Sequence, residues 1–187
     1  ALAEGVTSWQ IVNELNQIDI LEGEVTETPA EGSLAPDSYE ISPGDSRASL
    51  IERMTQAQDQ ILAEAWANRQ EGLPYDSPEE ALIMASIIEK ETGTPDERFL
   101  VSSVLVNRLR QGMRLQTDPT VIYGITRGEG VLGRGIRQSE LRAETPWNTY
   151  VIPGLPPTPI ANPGRASIEA ALNPDETPYI FFVAKTL

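Results

Sequence analysis

Apolar residues recur at helical spacing along most of this chain, and polar stretches rich in proline or glycine divide the recurrences into separate elements. Thr7 or Ser8 caps a short pattern carried by Trp9, Ile11, Val12 and Leu15. Residues 1–22 hold little else, so they are expected to be the end of a small module rather than a unit that folds alone. Residues 23–45, rich in Pro, Gly, Glu and Ser, read as a linker or an extended surface segment, with a brief strand at Tyr39 and Ile41. Leu50, Ile51, Met54, Ala57, Ile61, Leu62, Ala65 and Trp66 then predict a long amphipathic helix from about Arg47 to Arg69, with Trp66 in the core.

Two capping boxes punctuate the middle of the chain. Ser77-Pro78-Glu79-Glu80 predicts a helix from Pro78, and Thr94-Pro95-Asp96-Glu97 predicts another from Pro95. The first carries Leu82, Met84, Ala85, Ile87 and Ile88, broad enough to bury most of its girth, and Thr92-Gly93 ends it. The second buries Leu100, Val101, Val104, Leu105 and Leu109 and stops at Gly112. Asp118 is a natural cap for a short helix running from Pro119 through Tyr123, which leaves Gln116 and Thr117 without an evident structural duty. Prolines at 153, 156, 157, 159, 163 and 174 make the later chain a rigid extended wall, with a short helix started by Asn162-Pro163 and carrying Ser167, Ile168, Ala170, Ala171 and Leu172, and a strand at Tyr179–Val183.

Within this pattern one carboxylate stands out. Met84, Ile87, Ile88 and Glu91 are linked by steps of three, four and seven, so Glu91 continues an apolar face. Burial and the negative end of the helix dipole both disfavour its charged form, as a proton donor near neutral pH requires. The alternative is a frayed, solvated helix-end glutamate. Glu89 shares its side with Ala85 and Ser86 and is expected nearer to solvent. Asn107 lies on a mainly apolar helix, as a satisfied structural amide or as a ligand.

Composition narrows the chemistry. A net charge of −14 argues against a nucleic-acid or anionic-membrane surface. With no Cys and no His, thiol catalysis, Ser-His triads and most zinc sites are excluded. Gly128, Gly130 and Gly133 spell a literal Gly-x-Gly-x-x-Gly, but no strand–turn–helix unit surrounds it and no suitable acid follows, so a glycine loop is the better reading. Arg127, Arg134 and Arg137 on that loop either meet an anion or solvate it. ALAEGVTSWQ is not a signal peptide, and no apolar run reaches the roughly 18 residues of a membrane span.

The segments MASIIEKET, VNRLRQGMRLQTDPTVIYG, WNTY, GLPPTPIANPG and TPYIFFVA, taken together, closely resemble the MltG-type (YceG-like) endolytic murein transglycosylases over about residues 30–185. The resemblance implies an α+β fold: a mainly helical, lysozyme-like catalytic domain with a small sheet, preceded by the end of a LysM-like module. The implied layout is 1–22 for that module, 23–45 for the connecting segment and 46–187 for the catalytic domain. Family members also carry a membrane anchor and a later Gly-Gly-His-x-Phe segment, so a trimmed form is expected here. The implied reaction cuts the β-1,4 bond between N-acetylmuramic acid and N-acetylglucosamine within glycan strands, leaving 1,6-anhydro ends. By similarity the catalytic acid falls on Glu91. Asn107, Gln116, Thr117, Asp118, Tyr123, Asn148 and Tyr150 are expected to line the glycan groove, with Gln116 or Thr117 bonding acetamido groups and Tyr123 or Tyr150 stacking on sugar faces. Neither a metal nor an organic cofactor is expected. The implied partners are peptidoglycan strands and cell-wall synthases, at the extracytoplasmic face of the bacterial inner membrane. Two competing readings are a lysozyme-like hydrolase using Glu91 and Asp118, and a non-catalytic glycan-binding scaffold.

Overall fold

In the computed structural model, which describes residues 1–182, seven α-helices and a single 3₁₀ turn are joined by irregular chain. The helices are α1 (Ser8–Asn16), α2 (Arg47–Ala67), α3 (Pro78–Glu91), α4 (Arg98–Arg110), α5 (Asp118–Thr126), α6 (Gln138–Leu141) and α7 (Arg165–Leu172). The small sheet expected from the sequence is not found: among the described residues the only β pairing is an isolated parallel bridge between Glu22 and Ser46. Tyr39 and Ile41 form no strand, and Tyr179–Phe182 are extended without a ladder; Val183, the end of that expected strand, lies outside the described residues. No helix among the described residues is long and apolar enough to cross a membrane.

The caps explain where the helices begin. Thr7 and Gln10 form a reciprocal capping box at α1. At α3 the Ser77 hydroxyl accepts the Glu80 amide, but the Glu80 carboxylate reaches back to the Asp76 amide instead of Ser77, so the box is half formed. The second expected box does not form. Thr94 makes no side-chain cap, and Pro95–Glu97 winds as a 3₁₀ turn before α4 starts at Arg98. The helix after it has Thr117, not Asp118, at the N-cap position, without a side-chain cap bond; it starts at Asp118 itself and runs past Tyr123 to Thr126.

Every residue of α3 from Ala81 to Ile88 is buried. Its closest neighbour is α7, whose Ala170 and Ala171 let the two axes approach while Ile168 and Leu172 interlock with the α3 side chains. Val101, Leu105 and Val106 of α4 and Leu115 complete this core. Burying each large aliphatic side chain contributes about 1.5–3 kcal/mol. Trp66 sits half-buried against it, with the Arg69 guanidinium 3.9 Å above its ring.

A second cluster joins Ile11, Leu15 and Leu21 to Leu34, Leu50 and Met54, so the first 22 residues, the connecting segment and α2 share one core. Arg47 ties these parts together by donating to the carbonyls of Leu15, Ile18 and Gly23. Buried Gln58 bridges the carbonyls of Gly32 and Pro163, and Asn162 accepts the Leu34 amide and donates to Val6 and Ser8. Residues 23–45 are thus irregular but anchored, with Leu34 and Ala35 fully covered.

Candidate active site

The end of α3 presents two glutamates with opposite fates. Glu89, expected near solvent, has a side chain only 5% exposed: it accepts the Gly164 amide at 2.9 Å, at the N-terminus of α7, and pairs with Arg98 at 3.7 Å. Three residues on, Thr92 takes an extended conformation and ends the helix, leaving Glu91 as the last helical residue. Glu91 is partly buried, and among the described residues no group hydrogen-bonds to its carboxyl. Burial, then the negative charge of Asp118, raise its pKa from 4.5 to about 7.

Glu91 opens into a cavity of about 210 Å³ lined also by Arg108, Leu115, Gln116, Asp118, Tyr150 and Phe182. Its floor is the turn between α4 and α5. Arg108, buried on the inner stripe of α4, donates to the carbonyls of Arg114 and Leu115 and to that of Ile180. This holds the turn against α4 while Leu115 plugs the core. Gln116 adopts a left-handed conformation with φ of 53°, which costs a non-glycine residue on the order of 1–2 kcal/mol, and donates its amide to Thr149. Its side chain is exposed at the cavity.

Asp118, also exposed, is the first residue of α5 and accepts the Tyr150 hydroxyl at 2.6 Å. That contact and the Asp118 charge act with desolvation, the largest cause, to push the Tyr150 phenol up to about 12. Gly124 allows the 145–150 turn to lie against α5, because a Cβ there would stand 2.5 Å from the Thr145 hydroxyl.

Of the residues singled out in the sequence, Glu91, Gln116, Asp118 and Tyr150 share this cavity. Four others point elsewhere. Thr117 is 2% exposed in a hydroxyl cluster with Thr120 and Thr149, so its duty is to anchor the start of α5. Asn148 is fully buried; it donates to the carbonyls of Glu140, Leu141 and Ala143 and accepts the Tyr150 amide. It therefore builds the turn that carries Tyr150 and does not face the groove. Asn107 donates to Thr177 and Tyr179, pinning the extended segment that brings Phe182 to the cavity. Tyr123 lines a second cavity, of about 330 Å³, with Lys90, Pro119 and the glycine loop. Its hydroxyl donates to Glu31 and its ring meets Trp147 edge-on at 5.6 Å. Arg108 was missed by sequence reasoning, although Val101, Val104, Leu105 and Arg108 repeat the spacing that singles out Glu91. Phe182 carried no comparable signal.

The described residues contain no group of three or more acidic, His or Cys side chains placed to hold a metal ion. The arrangement offers an acid that keeps its proton near neutrality, a nearby carboxylate held by a phenol, and amide and aromatic surface beside them. The model of the YceG-like family matches residues 1–187.

The chain belongs to that family. Curated relatives of this YceG-like chain include the endolytic murein transglycosylase of Bacillus subtilis (strain 168), 37% identical over 158 residues, which are 84% of this chain and 42% of that protein. The protein of the same name from Streptococcus pneumoniae (serotype 2, strain D39) is 31% identical over 160 residues, 82% of this chain and 28% of that one. The chain thus spans less than half the length of these relatives. A crystal structure of a yceG-like protein from Listeria monocytogenes superposes with a TM-score of 0.77 at 31% identity, covering 99% of this chain and 69% of that one.

Proposed function

We propose that this chain is the catalytic part of an endolytic peptidoglycan lytic transglycosylase with Glu91 as its acid and then its base. The observation that carries the reading is a carboxyl at a cavity wall, free of hydrogen bonds among the described residues and protonated up to about pH 7. The names of the relatives supply the reaction class.

Glu91 donates its proton to the bridging oxygen as the bond from that oxygen to C1 of N-acetylmuramic acid breaks, releasing the N-acetylglucosamine hydroxyl. The carboxylate then takes the proton of the muramyl 6-hydroxyl as that oxygen bonds to C1. The product is a 1,6-anhydro ring, the proton has returned to Glu91, and no water is consumed. Attack from within the same sugar carries a large proximity advantage, so one carboxyl suffices for proton transfer. The exposed Gln116 amide is suited to an acetamido group and the Tyr150 ring to a sugar face. This reading includes a lysozyme-like cleft within residues 46–187, a LysM-like origin for residues 1–22 and a place at the extracytoplasmic face of the inner membrane beside cell-wall synthases.

Mass spectrometry of intact glycan strands digested by the purified protein and by Glu91→Gln tests it. Anhydro ends, one water lighter than reducing ends, are expected from the first and no new ends from the second. Undiminished cleavage by Glu91→Gln refutes the assignment, and retained binding without cleavage separates an enzyme from a scaffold. Asp118 in the same cavity favours one second reading, a muramidase, which reducing ends in the products would establish.

A further inference from the structure

We propose that Asp118 is the fixed anion of this cleft: held by the Tyr150 phenol, it stabilises the positive charge that develops on the muramyl ring as the glycosidic bond breaks, and it neither transfers a proton nor attacks carbon. The proposal rests on the transglycosylase reading above and assigns that site a second participant, with Tyr150 as its positioning residue.

Three structural observations support it. Apart from Glu91, Asp118 is the only acidic side chain on the cavity wall among the described residues. One of its oxygens already accepts the Tyr150 hydroxyl at 2.6 Å, which fixes the carboxylate in place and occupies a lone pair that attack on carbon or proton transfer would use. Its position as the first residue of α5 places it at the positive end of the helix dipole, which favours a negative charge. Buried groups hold both partners in place: the Thr117, Thr120 and Thr149 hydroxyls anchor the start of α5, and Asn148 accepts the Tyr150 amide.

Among the described residues, few charged groups face Glu91. Asp118 from α5 adds to burial in raising it. Arg108 of α4 and Tyr150 border the same cavity, α2 and α7 place no charged group on it, Lys90 lines the other cavity, and Glu89 is engaged with Arg98 and Gly164. An anion near Glu91 keeps the proton on the acid before reaction and faces a cationic ring during it, so a single charge favours both stages.

The test is the pH–rate profile on intact glycan strands, with product masses, for the unaltered protein, Asp118→Asn and Tyr150→Phe. Asp118→Asn is expected to lower plateau kcat roughly ten- to a hundredfold. It should also move the alkaline limb down by about one pH unit, with products still ending in anhydro sugar. Tyr150→Phe keeps the carboxylate charge, so kcat should fall less and the limb stay in place. A structural defect alone would lower activity without moving the limb. An unmoved limb in Asp118→Asn, an unchanged plateau, or complete loss of cleavage with reducing ends from the unaltered protein each overturns the proposal. The last outcome also overturns the transglycosylase reading; the first two leave it standing.

Discussion

Glu89 and Glu91 are the same residue type, two positions apart at the end of one helix, and their surroundings send them to different work. Glu89 turns toward α7, where the Gly164 amide and the Arg98 guanidinium receive its charge. Glu91 turns toward the cavity, where burial and Asp118 both oppose a charge. The lesson is that partners, not depth, separate a structural carboxylate from an acid. Glu89 has a cation and a helix N-terminus beside it, whereas Glu91, buried without either and set near Asp118, keeps its proton to about pH 7.

The most severe way to break this contrast is Glu91→Gln, which keeps the shape and removes the proton. Cleavage should fall roughly a hundred- to ten-thousandfold, measured as new strand ends per unit time. In the unaltered protein the rate should decline as pH rises through about 7, where Glu91 loses its proton. Glu89→Gln should do the reverse. It leaves Arg98 without its buried partner and weakens the contact to Gly164, lowering stability by about 1–3 kcal/mol in denaturant titration. The alkaline limb should not move, because Glu91 keeps its surroundings; a limb that moved as far as in Asp118→Asn would contradict the separation drawn here.

A smaller effect sharpens the comparison through pH. The folded state binds a proton on Glu91 up to about pH 7, whereas the unfolded chain releases it near the ordinary value of 4.5. Between those values the folded protein carries more protons, so this group's contribution to stability is intact below about pH 4.5 and is lost as pH climbs through about 7. Glu91→Gln removes that dependence. Its melting temperature should equal or exceed that of the unaltered protein at pH 8, and the gap should close at pH 4.5. On the proposed reading, the acid is held at some expense in stability.

What was legible in the sequence follows the same division between local and distant causes. Glu91 could be read because its whole signal is carried by Met84, Ile87 and Ile88 on its own helix. The partners of Glu89 lie at positions 98 and 164, beyond the reach of any helical period, so it was misjudged. Thr117 and Asn148 were chosen for chemistry that the fold uses in packing: the first meets Thr149, 32 positions away, and the second closes a turn on backbone carbonyls. The strand expected at Tyr179–Val183 has apolar β-forming residues, but among the described residues the Tyr179 and Ile180 carbonyls are met by the Asn107 and Arg108 side chains instead of another strand.

Gln116 supplies the mildest test and joins the two halves of the comparison, because it is strained like a functional residue and braced like a structural one. Its left-handed backbone is imposed by bonds to its neighbours: its own amide to Thr149, and Arg108 to the carbonyls of Arg114 and Leu115. Gln116→Gly relieves the side-chain clash but adds freedom to the unfolded chain, so the two effects, each about 1 kcal/mol, should nearly cancel in stability. The loss should instead appear in KM, with kcat changed less than about threefold, if the amide contacts substrate equally before and during bond breaking. A fall in kcat at unchanged KM would place Gln116 with Glu91 and Asp118 in the transition state; a loss of stability with neither kinetic change would return it to the scaffold beside Thr117.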